Sequence, residues 1–94
     1  VTGPQVFIAI LTRTEGRAYQ IQEHPTRKAA TRAAYEWLHA ETSTHALTGA
    51  AERQRRYARR CAERGEYQNA LHHLRAALRG VQAPTARVQR GRHT

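Results

Sequence analysis

From Arg53 to Arg64 the chain reads Arg-Gln-Arg-Arg-Tyr-Ala-Arg-Arg-Cys-Ala-Glu-Arg, a dense arginine series broken by a few apolar positions. At about 100° per residue, Leu47, Ala50, Ala51, Gln54, Tyr57, Ala58, Cys61 and Ala62 fall on one side of a helix. Arg53, Arg55, Arg56, Arg59, Arg60 and Arg64 spread over the other. Guanidinium groups held on a rigid rod can each pair with a phosphate oxygen and release a counterion. Glu52 and Glu63 offset only part of that charge and leave like-charge repulsion that an anion would relieve. Arg53, Arg56, Arg59, Arg60 and Arg64 are therefore candidate phosphate contacts, and a solvated helix back is the competing reading. Arg27, Lys28 and Arg32 follow a good helix-capping residue, Thr26, and join them, because free N–H groups and the helix dipole favour anions at a helix start.

Other chemistries find less support in the residue spacing. His39, His45, Cys61, His72 and His73 could converge on a metal in principle. However, His72 and His73 diverge by about 100° on a helix, no histidines stand at i and i+4, and a lone cysteine lacks a zinc-site pattern. No metal and no cofactor is expected. Cys61 lies on the apolar side of its helix, where cysteine is a packing residue. The carboxylates are all glutamate and dispersed, and there is no glycine-rich phosphate loop. No catalytic residue is assigned and no enzyme is expected, although spacing alone leaves open a small basic nuclease using Tyr, His and Arg.

Sixteen basic residues against seven acidic ones give a formal charge of +9, and every basic residue but Lys28 is arginine. A field of that size attracts polyanions over a Debye length or more. The arginine bias suits bidentate phosphate recognition, and high-GC codon usage would produce it as well. At 94 residues the chain is long enough for one core and too short for two. A single cysteine excludes an internal disulfide framework. No apolar run approaches the roughly 18 residues that span a bilayer, and the first residues lack the order of a secretory signal. The expected location is the cytoplasm, with no membrane partner.

These side chains need elements to hold them. Val6 to Leu11 is β-branched and aromatic, apolar on both faces, and Arg17 to Gln22 alternates, with Thr14-Glu15-Gly16 between them as a turn. A hairpin with an extra apolar face needs a cover, so the first strand is expected to pair across a two-fold axis in a homodimer, or to be wrapped by helices on both sides. A first helix runs from Thr26 to about Ala40, with Ala30, Ala33, Ala34, Trp37 and Leu38 on its inner stripe. A second helix runs to about Arg64 and stops at Gly65. A third, from Glu66 to about Arg79, buries Tyr67, Ala70, Leu71, Leu74, Ala77 and Leu78. From Gly80 the absence of apolar period and the presence of Arg87, Arg90 and Arg92 predict a flexible basic tail.

Three short stretches resemble known families. Thr26-Arg27-Lys28-Ala29-Ala30, with Ala33, Ala34 and Leu38, resembles the last helix of double-stranded-RNA-binding domains. That resemblance implies that Arg27 and Lys28 grip phosphates, although no helix precedes the strands and His24-Pro25 stands where glycines lead into that motif. Gly65-Glu66-Tyr67-Gln68-Asn69-Ala70-Leu71, with Leu74, Ala77 and Leu78, is similar to the second half of a tetratricopeptide unit, which implies a tight helical hairpin in a single copy. Cys61, Gly65, Leu71 and Leu74 also stand at helix-turn-helix spacing. That likeness implies that Gln68, Asn69 and His72 face base edges.

The sequence thus predicts an α+β fold, ββααα, with one domain over residues 1–80 and a disordered basic tail over 81–94. The predicted function is a small accessory or regulatory protein that contacts nucleic acid, duplex DNA first, through the phosphates. The predicted contacts are Arg27, Lys28, Arg32, Arg53, Arg56, Arg59, Arg60 and Arg64. The rival reading is a protein-interaction module that docks a partner, an acidic protein among the candidates, on its exposed first-strand edge and helical hairpin.

Overall fold

The computed structural model describes residues 6–13, 19–81 and 83–91. Within them the chain forms β1 (Val6–Thr12), β2 (Tyr19–His24), α1 (Arg27–Thr42), α2 (Gly49–Glu63), α3 (Tyr67–Ala77) and β3 (Thr85–Gly91). The α+β class, with two strands followed by three helices, is as the sequence predicts. The turn assigned to Thr14-Glu15-Gly16 lies outside the described residues.

The strands form one antiparallel sheet in the order β2-β1-β3. Here the structure corrects two expectations. Residues 85–91, read as part of a flexible tail, pair with β1 along its whole length, from Val6 opposite Gly91 to Thr12 opposite Thr85. Ala86 and Val88 supply the inward period of two, and Ala86, opposite Leu11, is 1% exposed. The alternating Arg87, Gln89 and Arg90 hide that period in the sequence. The first strand is therefore central. With β2 on one side and β3 on the other, it has no free edge for the pairing across a two-fold axis that the sequence suggested.

β1 divides its side chains between two environments. Ala9 and Leu11 are fully buried and join Ala34, Leu38, Leu71, Leu74 and Ala86 in a single core. Val6, Ile8 and Ile10 point the other way and stay half-buried.

α1 lies across the inner sheet face. Thr26 caps it, its Oγ1 accepting the Ala29 N–H at 3.1 Å, which satisfies one of the N–H groups a helix start leaves open. Its buried residues are Ala30, Thr31, Ala34, Tyr35, Leu38 and Thr42. The fully buried Thr42 hydroxyl is satisfied by donating to the Leu38 carbonyl at 2.7 Å. Trp37 and Ala33, predicted on the inner stripe, are only partly buried.

α2 and α3 form the expected tight hairpin. Gly65 takes φ +80°, a conformation costly for residues with a Cβ, and lets the Glu66 N–H return to the Cys61 carbonyl at 2.9 Å. α2 rests on α3 through Ala58 and Cys61 alone among its fully buried residues. Ala50 and Tyr57, placed by the sequence on the buried side, are exposed. α3 buries Ala70, Leu71, Leu74 and Ala77 between its two helical neighbours.

Candidate nucleic-acid interface

All five α2 candidates, Arg53, Arg56, Arg59, Arg60 and the capping Arg64, are solvent-exposed. They are not equivalent. Arg56 Nε stands 3.3 Å from Glu52, Arg59 Nε 3.7 Å from Glu63, and Arg64 Nε 2.7 Å from Glu66. The hydrogen bond to Glu66 raises the Arg64 pKa above its ordinary value. Pairs this exposed are weak, so a phosphate can displace their carboxylates. Arg53 and Arg60, two helical turns apart, have no carboxylate within 4 Å among the described residues and form, with Tyr57 between them, the ridge of the helix. Arg55 is turned inward: its guanidinium binds Glu52 at 2.6 Å and donates to the carbonyls of His45, at 2.8 Å, and Thr42, at 3.4 Å. It belongs to the fold rather than to the interface.

At the start of α1, Arg27 lies over the Phe7 ring, 5.1 Å from its centroid. Arg32 is held by Glu36 at 2.9 Å and lies over Tyr67 at 5.4 Å. Lys28 is exposed with no ion-pair partner among the described residues. The cation–aromatic contacts fix two of these side chains in place without neutralising them.

The sequence put all eight cations on one face, and the structure distributes six of them over three places, with Arg32 and Arg64 held by Glu36 and Glu66. Arg27 and Lys28 stand on a groove, built of adjoining clefts, where α3 meets α1 and β3. Its middle is lined by Arg27, Thr31, Gln68, His72, Arg75 and Val88. One end adds Lys28, Glu66 and Asn69. The other reaches Arg79, Pro84 and Thr85 in a cleft of about 440 Å³. Gln68, Asn69 and His72, which the helix-turn-helix likeness turned toward a ligand, are on this groove. Arg56 and Arg59 instead line a separate cleft between α1 and α2, opposite Tyr35 and His39 and floored by Leu74. Arg53 and Arg60 line neither.

Sequence reasoning missed Arg75 and Arg79. The signal was available, since Gln68, His72, Arg75 and Arg79 recur at helical spacing on a stripe of α3 that flanks its leucines. Neither arginine has a carboxylate within 4 Å among the described residues. Arg90, assigned to the tail, faces the helical side of the sheet beside Phe7, its partner across the strands.

In the α1–α2 cleft, burial, with Arg59 and Arg55 nearby, holds the His39 imidazole below its ordinary pKa. Burial pushes the Tyr35 phenol up. The two rings lie 5.7 Å apart. No group of three or more His, Cys, Asp or Glu side chains that could hold a metal forms among the described residues. Cys61 is fully buried, its sulfur accepting from Arg64 Nη2 at 3.7 Å. No helix among the described residues is long and apolar enough to cross a membrane. Comparison with protein-family models, curated proteins and solved structures finds no match to this chain.

Proposed function

We propose that this protein binds nucleic acid, duplex DNA in particular, through its phosphates. The observation that carries the reading is the α3 groove, where Arg27, Lys28, Arg75 and Arg79 line adjoining clefts that share residues, with no carboxylate paired to any of them among the described residues. An exposed arginine on a helix back is often neutralised by its neighbours at i±4, as Arg56 and Arg59 are here. Concave clustering of unneutralised cations carries a repulsion that a polyanion removes. Gln68 and Asn69 on the same groove can hydrogen-bond phosphates or base edges. Arg53 and Arg60 on the α2 ridge add a second set of phosphate contacts.

The reading is tested by fluorescence anisotropy with labelled duplex DNA, single-stranded DNA and duplex RNA, at about 50 and about 200 mM salt. Four phosphate contacts predict an affinity loss on the order of a hundredfold across that range. Preference for duplex DNA with this salt slope supports the proposal. Absence of binding at the lower salt overturns it and leaves the charge without a ligand.

A further inference from the structure

The sheet has a second face, and none of the described helices covers it: α1 and α3 share the core with Ala9 and Leu11 on the opposite side. On the open face Val6, Ile8 and Ile10 are half-buried, and Ile21 of β2 is 55% exposed. The apolar surface extends over the end of β3, because Gly91 has no side chain. A Cβ there would stand 2.8 Å from Ile8 and 2.9 Å from Val6.

The register places one charge on each flank of this apolar strip. Glu23 lies opposite Ile8 on the β2 side, and Arg87 lies opposite Ile10 on the β3 side. Glu23 is the one glutamate among the described residues with no arginine or lysine within 4 Å, whereas Glu36, Glu41, Glu52, Glu63 and Glu66 are all paired. A carboxylate beside exposed isoleucines that no described arginine or lysine engages offers a place for a cation of a second copy. Arg87, on the same face, also has no carboxylate partner among the described residues.

We infer that the open sheet face is the interface of a homodimer, in which two copies stack face to face about a two-fold axis parallel to β1. That rotation lays β2 of one copy over β3 of the other. Ile21 then covers the aliphatic stem of the second copy's Arg87, and its guanidinium lies one side-chain step along the strand from Glu23. The contact occurs twice, as an isologous interface requires. An axis across the strands would instead set β2 on β2 and leave both charges unmatched. Stacked sheets about 10 Å apart would enclose Val6, Ile8 and Ile10 from both copies. The helices, with their arginines, remain on the two outer sides.

The dimension of the face sets the strength. Three strands about 4.8 Å apart and at most about 24 Å long give a flat footprint of about 350 Å² per copy, about 700 Å² over both, in the range of weak, transient interfaces rather than stable ones. The dimer is accordingly weak and concentration-dependent.

Sedimentation equilibrium of the full chain without nucleic acid, from about 10 μM to about 1 mM, provides the test, with circular dichroism to verify folding of each variant. A reversible monomer–dimer equilibrium in that range is expected. Ile21→Lys, on an exposed edge position, should abolish it. Glu23→Arg and Arg87→Glu should each weaken it by at least about tenfold, because symmetry introduces the like-charge contact twice. The double variant should return to within about threefold of the parent. A chain monomeric throughout, a dimer indifferent to Ile21→Lys, or a double variant no better than the single ones overturns the inference. The outcome is independent of nucleic-acid binding, which the anisotropy experiment reads separately.

Discussion

Arg55 donates to the backbone carbonyl of His45 at 2.8 Å, and so an arginine in the middle of a basic series serves as a clasp between the α1–α2 connection and α2. It also holds Glu52, which is shared with Arg56. Its neighbours Arg53 and Arg60 touch no carboxylate among the described residues. Identical side chains a turn apart thus have different work, determined by where the helix back meets the end of α1.

That difference is measurable. Arg55→Ala removes charge-assisted hydrogen bonds to two carbonyls and should cost about 1–3 kcal/mol in urea unfolding. Arg53→Ala and Arg60→Ala should stay within about 0.5 kcal/mol of the parent while weakening DNA binding. A stable Arg55→Ala protein, or an Arg53→Ala protein that unfolds, would reverse the assignment.

The α3 groove makes a separate claim about binding. Replacing Arg75 and Arg79 together by alanine should lower the slope of log affinity against log salt by about two, one for each phosphate that is no longer neutralised. The far-ultraviolet spectrum should be unchanged, since both side chains are exposed. If the slope falls only for Arg53 and Arg60 variants, the groove is not part of the binding surface.

How far the sequence reached follows from which elements advertise their burial. α1 and the α2–α3 hairpin were legible because Thr26, Gly65 and the leucines of α3 each have one physical role that their neighbours do not obscure. β3 was not, because only Ala86 and Val88 mark its inner face, and Arg87, Gln89 and Arg90 between and beyond them carry the composition of a tail. β1 was identified, with both faces apolar, but its central place depended on β3. The binding residues were legible one by one and not as a set. Period alone puts Arg53 and Arg59 on the back of α2, but only the packing of α3 against α1 brings Arg75 to Arg27.

Because β3 completes the sheet, shortening the chain should damage the fold and not merely the binding. A protein ending at Gly80 leaves one side of β1 unpaired along its length, removes Ala86 and Val88 from the core and uncovers Leu11. It should lose its cooperative thermal transition. The full-length variant Ala86→Leu, which forces extra volume beside the buried Leu11, should lose about 1–3 kcal/mol. A truncated chain that melts like the parent would return residues 85–91 to the status of a tail.

The His39 site predicts a pH dependence with a definite sign. Burial, reinforced by Arg59 and Arg55, lowers the folded-state pKa below 6.5, its ordinary value, while Glu52 in the same cleft is engaged by Arg55 and Arg56. Above that ordinary value His39 is neutral in both states and its contribution is fully present. As the pH falls through it, the unfolded chain takes up the proton first, so stability declines until the folded-state value is passed and then levels off. His39→Gln places a non-titrating side chain in the cleft and should remove this part of the slope, so that the stability difference between parent and variant changes with pH. Urea midpoints at about pH 7.5 and about pH 5 read the difference, which isolates His39 from the other histidines. Equal slopes in parent and variant would mean that the imidazole titrates alike in both states, and the cleft would then have to be open enough to hydrate it.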